Sequence, residues 1–127
     1  MKRTATLAIL LILALGWAAG FAVPASAQSP GLTMNVTSAF NGNFKYGEWL
    51  PVQVELANQG SDVDAEVRVQ VSSSQGITVF TSPVSLPSGS RKQVTVYVLP
   101  NNFSRSLGVL LVDSKGETLL TTSFTVR

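Results

Sequence analysis

The chain has 127 residues, 45% of them hydrophobic, and it contains neither cysteine nor histidine. Without cysteine a disulfide scaffold is excluded, and without histidine the commonest general base and metal ligand is missing. Lysine and arginine outnumber aspartate and glutamate by nine to seven, but Lys2 and Arg3 supply the whole excess. The rest of the chain is neutral, so an electrostatic nucleic-acid footprint is not expected.

The N-terminal segment has the three parts of a secretory signal peptide. A basic start is followed by an apolar stretch over residues 4–23 and by the sequence Ala-Ser-Ala ending at Ala27. We predict cleavage there, which assigns residues 1–27 to a signal peptide and residues 28–127 to one domain. The alternative is a retained membrane anchor, since the apolar stretch is close to the length that spans a bilayer.

The first strand is predicted over Gly31–Thr37, where apolar and polar residues alternate. Side chains on a strand point alternately to opposite faces, so this pattern buries one face. The segment that follows contains the tight-turn dipeptide Asn41-Gly42. It also contains four aromatic residues, namely Phe40, Phe44, Tyr46 and Trp49.

Two longer alternating runs come next, Leu50–Leu56 and Val63–Val71, and they are separated by Asn58-Gln59-Gly60-Ser61-Asp62. The pattern predicts two antiparallel strands joined by a short loop in which Gly60 is able to adopt a positive φ. Such a strand pair is not stable alone, because its apolar face must be buried against a second layer.

The remaining segments also read as strands. Pro83 and Pro87 predict that the region after Ile77–Thr81 is an edge strand or a crossing between sheets. Leu107–Val112 is a nearly continuous apolar run, which is typical of an interior strand. The other predicted elements are a strand over Arg91–Leu99 ended by Pro100, a turn at Asp113–Glu117 and a last strand over Leu119–Val126.

These elements amount to about seven short strands with turn signals between them, and no window has a helical period. The predicted fold is an all-β, immunoglobulin-like antiparallel β-sandwich preceded by the hydrophobic signal helix. The paired cysteines of antibody domains are missing, so the expected likeness is one of architecture.

Three segments carry a family resemblance: Gly47-Glu48-Trp49-Leu50-Pro51-Val52, its continuation to Asn58-Gln59-Gly60-Ser61, and the later Leu86-Pro87-Ser88-Gly89-Ser90 with the alternating valines that follow it. In these segments the chain resembles the bacterial CARDB-type, cell-adhesion-related domains. It also resembles the N-terminal sandwich domain of large membrane-anchored bacterial surface proteins. The resemblance implies a β-sandwich used for adhesion, spacing or presentation, often repeated or fused to other domains. It brings no catalytic residues to carry over.

Phe44, Tyr46 and Trp49 are the candidate ligand-contact residues, because exposed aromatic rings can stack on a sugar ring. The competing interpretation places aromatic side chains in the core, where they bury large areas. We expect Trp49 to lie in the core, and both interpretations stay open for Tyr46 in its turn-like sequence.

Three other groups of residues have weaker interpretations. Asp62 and Asp64 offer carboxylates to a Ca²⁺ ion, but further ligands are missing and a solvated strand start is expected. Arg91, Lys92 and Arg105 are expected to be a solvated strand edge rather than an anion site. The N-glycosylation patterns that begin at Asn35 and Asn102 are expected to be chance matches in a bacterial protein.

No enzyme is expected, because no histidine or cysteine is available as a catalytic partner and the seven acidic residues fall in predicted turns, on outward faces or just before a strand. No cofactor, metal or nucleic-acid partner is expected either. We predict a non-catalytic module for adhesion, spacing or protein–protein contact, forming the N-terminal part of a larger surface protein. Its expected location is extracellular, cell-surface or periplasmic. Its partners are other domains or surface proteins, with the membrane involved through the N-terminal segment if that is uncleaved. The alternative is a carbohydrate-binding accessory module that uses the aromatic cluster.

Overall fold

The computed structural model describes residues 30–100 and 106–127. The predicted signal peptide, Asn102 and Arg105 lie outside the described residues. The described residues form a short 3-10 turn, Ala39–Gly42, and seven strands: β1 (Leu32–Ser38), β2 (Leu50–Asn58), β3 (Val63–Ser73), β4 (Gly76–Leu86), β5 (Arg91–Val98), β6 (Ser106–Asp113) and β7 (Thr118–Thr125).

The strands form two antiparallel sheets packed face to face as a β-sandwich. The three-stranded sheet has the order β1-β2-β5 and the four-stranded sheet the order β4-β3-β6-β7. The inward side chains of both sheets form one core cluster, in which Val52 and Val54 of β2 and Val67 and Val69 of β3 are fully buried. The prediction of an all-β sandwich with about seven strands is confirmed for the described part of the chain.

The positions of two strands within the four-stranded sheet are also as predicted. β6 lies between β3 and β7, as its continuous apolar run requires. β4 lies at the edge of the sheet. Pro83 has no backbone N–H to donate, and an edge strand tolerates this because it has a neighbouring strand on one side alone. The segments predicted separately as 77–81 and 82–87 form one continuous strand up to Leu86.

The prediction that β2 and β3 form a pair is wrong. β2 hydrogen-bonds to β1 and β5, whereas β3 hydrogen-bonds to β4 and β6 in the opposite sheet. The loop over residues 59–62 therefore crosses from one sheet to the other. Alternation along a strand fixes which side chains face the core, but it does not say which strand lies alongside.

Asn58 is the residue that fixes this crossing. It ends β2 with its side chain 1% exposed, and its Nδ2 donates to the carbonyl oxygens of Leu86 in β4 at 2.8 Å and of Ser61 at 2.7 Å. Its Oδ1 accepts from the backbone N–H of Gly60 at 2.9 Å. Because a buried amide is costly unless it is hydrogen-bonded, this network favours the crossing loop over a hairpin.

We call this end of the sandwich the base; it comprises the loops over residues 59–62, 87–90 and 114–117. The N-terminal residues of the domain are fastened to it, since the N–H of Gln59 donates to the carbonyl oxygen of Gly31 at 2.8 Å. The backbones approach so closely that a Cβ on Gly60 would lie 2.8 Å from the carbonyl oxygen of Pro30. Gly60 does not adopt the expected positive φ; glycine is required there for space.

Candidate functional site

All six exposed large apolar side chains of the described residues lie toward the end of the sandwich opposite the base. β1, β3 and β5 end there, and β2 and β4 begin there. We call this set of side chains the tip: Phe40, Tyr46, Trp49, Ile77, Val79 and Tyr97. Tyr97 faces outward from the three-stranded sheet, and Ile77 and Val79 face outward from the four-stranded sheet. Phe40, Tyr46 and Trp49 belong to the segment between β1 and β2. Exposed apolar side chains concentrated at one end of a soluble domain mark a candidate interaction site.

The turn between β1 and β2 holds Phe40 in an unusual backbone conformation. Phe40 has φ 57° and ψ 30°, and Asn41 has φ 55°, so both residues are left-handed. This conformation costs a residue with a Cβ roughly 1–2 kcal/mol. The N–H and Nδ2 of Asn43 both donate to the carbonyl oxygen of Phe40, at 3.0 and 2.9 Å. These bonds hold the Phe40 ring out in solvent, 68% exposed.

The same segment is fastened to the residues after β7. The N–H of Arg127 donates to the carbonyl oxygen of Gly42 at 2.7 Å, and the N–H of Phe44 donates to the carbonyl oxygen of Arg127 at 3.0 Å. These two bonds have the pattern of a parallel bridge. The side chain of Phe44 is partly buried and packs against the core. The segment is therefore built into the sandwich rather than laid over it.

Trp49 lies on the surface, so the prediction that it fills the core is wrong. It precedes β2, whose first residue, Leu50, is the one that enters the core. Its ring meets Phe80 of β4 edge to face, with centroids 6.0 Å apart and an interplanar angle of 84°, and it stays 59% exposed. Tyr46, for which both interpretations were open, is 63% exposed.

A groove of about 350 Å³ opens between these side chains. Its apolar lining consists of Phe40, Phe44, Trp49 and Leu50, and its polar lining of Asn43, Lys45 and Glu48. Two of the predicted contact residues, Phe44 and Trp49, therefore meet in one site. Tyr46 lies in the same segment but does not line the groove.

An ion pair stands at the rim of the groove. Lys45 Nζ lies 2.7 Å from Glu48 Oε1, and the N–H of Glu48 donates to the carbonyl oxygen of Lys45 at 3.1 Å. The hydrogen bond to Glu48, and then the Coulomb attraction of its carboxylate, raise the pKa of Lys45 above its usual value. Both side chains are well exposed, so the pair contributes donors and acceptors at the surface and little stability.

The other sequence candidates lie elsewhere. At the base, Asp62 Oδ1 accepts from the backbone N–H of Ser88 at 2.8 Å. In the described ranges no three His, Cys, Asp or Glu side chains gather into a group that could hold a metal. Arg91 and Lys92 are exposed at the start of β5, an edge strand. Asn35 is exposed on β1.

Sequence reasoning missed several residues of the tip and groove. Ile77, Val79 and Tyr97 were assigned to strands but not to a surface patch. The signal for Tyr97 was present, because it alternates with inward valines of β5 and must face outward. No local pattern marked the Lys45–Glu48 pair.

Among residues 30–100 and 106–127, no helix has the length and hydropathy needed to cross a membrane.

Two antiparallel sheets packed face to face define the chain as a β-sandwich module. More particularly, residues 31–127 match the model of the family described as "Domain of unknown function (DUF8726)", and the chain belongs to that family. No curated protein sequence matches the chain.

Solved structures share this fold at low identity. The CARDB domain of a Pyrococcus furiosus protein, described in complex with di-metal ions, has a TM-score of 0.52 at 16% identity, over 85% of this chain and 99% of that one. The Pseudomonas fluorescens alkylpurine DNA glycosylase AlkC, bound to DNA containing an abasic site analog, has a TM-score of 0.51 at 14% identity, over 76% of this chain and 30% of that one. The chain thus spans less than a third of the glycosylase structure. The structural similarity to the CARDB domain supports the CARDB resemblance at the level of fold.

Proposed function

We propose that this chain is an exported, non-catalytic, immunoglobulin-like module that contacts other macromolecules through its tip. The observation that carries the proposal is the gathering of all six exposed large apolar side chains of the described residues at one end. The base shows that the same fold closes an end with polar loops, so the exposed tip is not a requirement of the architecture.

The immunoglobulin-like assignment rests on the strand connections. The chain passes between the two sheets after β2, β4 and β5, while β3–β4 and β6–β7 remain within one sheet as hairpins. Seven strands connected in this way in two sheets are typical of immunoglobulin-like sandwiches. Loops gathered at one end of such a sandwich are a common place for binding surfaces.

The mixture of aromatic and aliphatic side chains favours contact with a protein surface, in adhesion or spacing. Aromatic residues are enriched where binding energy concentrates in protein interfaces. Ile77 and Val79 add an exposed aliphatic strip on the outer face of β4, and apolar side chains of this kind suit the core of a protein interface. The secretory pattern over residues 1–27 supports a location outside the cytoplasm.

The test is binding of the labelled chain to intact cells and isolated envelopes of the organism that makes it. We expect saturable binding that falls at least about tenfold in the double variant Ile77→Ser, Val79→Ser. The matched control is Gln93→Ser, an exposed residue on β5 outside the tip. Equal binding by the tip variant and the control would contradict the proposal.

The location is tested by the mass of the native protein in membrane and soluble fractions. A polypeptide that begins at Gln28 in the exported fraction supports cleavage and export. A mass well above that of residues 28–127 would mean that this domain belongs to a larger surface protein. A cytoplasmic protein that retains Met1 would contradict export.

A carbohydrate-binding accessory module is the second candidate, and the exposure of Trp49 and Tyr46 favours it. Exposed aromatic rings offer apolar faces that suit the C–H faces of sugars. Iodide should then quench Trp49 fluorescence, and a bound polysaccharide should protect it. Fluorescence that polysaccharides leave unchanged would remove this candidate.

A further inference from the structure

We propose that the groove between Phe40 and Trp49 is a subsite for one or two rings of an uncharged sugar. This inference rests on the proposed contact function of the tip and names the class of ligand that one part of it takes. It also gives roles to Asn43, Lys45 and Glu48, which line the groove.

The apolar lining suits a flat ligand with a C–H face. Phe40 and Trp49 are both more than half exposed, and Phe44 and Leu50 complete the lining. A sugar ring presents C–H groups on its face and hydroxyl groups around its edge, so it needs an aromatic surface bordered by hydrogen-bonding groups. This groove combines both.

The charge at the rim selects against charged ligands. Lys45 and Glu48 neutralise each other in one ion pair, and Asn43 is uncharged, so the polar lining carries no net charge. An anionic polymer would need an excess of cations, and a basic peptide would need an excess of anions. A neutral ligand rich in hydroxyl groups matches the donors of Lys45 and the acceptors of Glu48.

The lining is held in place before any ligand arrives. Asn43 is hydrogen-bonded to the carbonyl oxygen of Phe40. The backbone N–H groups of Glu48 and Phe44 donate to the carbonyl oxygens of Lys45 and Arg127, respectively. Trp49 rests edge to face on Phe80. Because weak ligands bind better to a surface that does not need to be ordered, this pre-organisation favours a small rigid ligand.

The size of the groove agrees with this assignment. Its volume of about 350 Å³ lies near the lower end of the roughly 300–1,000 Å³ typical of small-molecule sites. That is room for a small ligand such as one or two sugar rings, whereas a protein partner would cover the rest of the tip as well.

The experiment uses the protein isolated from the cells that make it and carrying Trp17→Phe, so that Trp49 is the one tryptophan among the 127 residues whether or not residues 1–27 are retained. Titration calorimetry and iodide quenching are measured with neutral oligosaccharides of β-glucan, chitin, α-mannan and β-galactan, and with anionic alginate. We expect at least one neutral oligosaccharide to bind and to protect Trp49, and alginate to bind more weakly. By calorimetry, Trp49→Ala should weaken binding about tenfold, equivalent to ~1.4 kcal/mol.

A second variant separates a local effect from unfolding. Glu48→Gln keeps the size of the side chain and breaks the ion pair, so we expect a several-fold weaker affinity with an unchanged melting temperature. Gln93→Ser is the control and should bind as the wild type does. Wild-type affinity in both groove variants would overturn the inference.

Failure of this inference is distinguishable from failure of the proposed function. If no neutral oligosaccharide binds, or alginate binds more tightly, the sugar assignment is overturned. If the Ile77→Ser, Val79→Ser variant still loses binding to cells, the contact function stands and the partner is one that covers the whole tip. If that variant binds cells normally, the contact function fails as well.

Discussion

The two ends of the sandwich differ in how their polar and apolar groups are placed. At the base, the buried amide of Asn58 has donor and acceptor satisfied, and the chain backbones meet at Gly31 and Gly60. At the tip, large apolar side chains stay in solvent and Phe40 is held in a left-handed conformation. The Asn58 network stabilises the fold, whereas the left-handed conformation of Phe40 costs free energy. Backbone strain clusters at functional sites in proteins, and this is what motivates the binding proposal for the tip.

The largest expected effect lies at the base. Asn58→Ala should lower the free energy of unfolding by about 3 kcal/mol, because the carbonyl oxygens of Leu86 and Ser61 lose their partner in a buried site. Denaturant unfolding measures this loss. Asn35→Ala, the same change at an exposed position of β1, should stay within about 0.5 kcal/mol of the wild type. Equal effects of the two changes would contradict the role of Asn58.

Gly60→Ala tests the closeness of the backbones at the base. The added Cβ would lie 2.8 Å from the carbonyl oxygen of Pro30, so we expect a loss of roughly 1–3 kcal/mol in the free energy of unfolding. Gly108→Ala is the matched control, since a Cβ there finds ordinary contacts with Gln70 at 3.5 Å or more. A Gly60→Ala protein as stable as the control would show that the backbones at Gly60 and Pro30 can separate to admit a Cβ.

At the tip we expect a substitution that raises the free energy of unfolding instead of lowering it. Phe40→Gly should raise the free energy of unfolding by about 1 kcal/mol, because glycine adopts the left-handed conformation without the Cβ penalty. Phe40→Ala removes the same ring but keeps the penalty, so it should bring no gain. The comparison of these two variants isolates backbone strain from loss of the ring. If both unfold at the same denaturant concentration, the turn is not strained.

The smallest expected effect concerns the ion pair at the rim. The pKa of Lys45 is raised in the folded state, so its contribution is fully present below pH 10.5 and is lost as the pH rises through the folded-state value. Because both side chains are exposed, Lys45→Met should leave the denaturation midpoint at neutral pH unchanged. A clear loss of stability would mean that the pair supports the tip structurally and not as a ligand contact.

Sequence patterns predicted the strands well and their partners poorly. Alternation located β2 and β3, and the continuous run of β6 and the prolines of β4 placed these strands inside and at the edge of a sheet. The crossing that separates β2 from β3 is fastened by a hydrogen bond from Asn58 to Leu86, a residue 28 positions away. In sequence, Asn58 followed by Gly60 looks like any polar turn, so its burial was not predictable.

The candidate site was only partly predictable, because local sequence does not show which side chains the fold leaves exposed. Phe44, Tyr46 and Trp49 stood out by composition, and the structure brings Phe44 and Trp49 into one groove. The exposure of Trp49 was not predicted, because a tryptophan beside a strand usually enters the core. Here Leu50 takes that position. Ile77 and Val79 join the same end only through the sheet pairing of β4, which local sequence does not reveal.

The separation of β2 and β3 also governs how the domain folds. β2 pairs with β5 from Leu50 with Val98 to Ala57 with Arg91, and β3 pairs with β6 from Val71 with Leu107 to Ala65 with Asp113. A polypeptide that has emerged as far as Pro87 therefore lacks β5 of the three-stranded sheet and both β6 and β7 of the four-stranded sheet. Folding dominated by such distant pairings takes milliseconds to seconds. The domain is expected to fold in one cooperative step, after nearly all of its length is available.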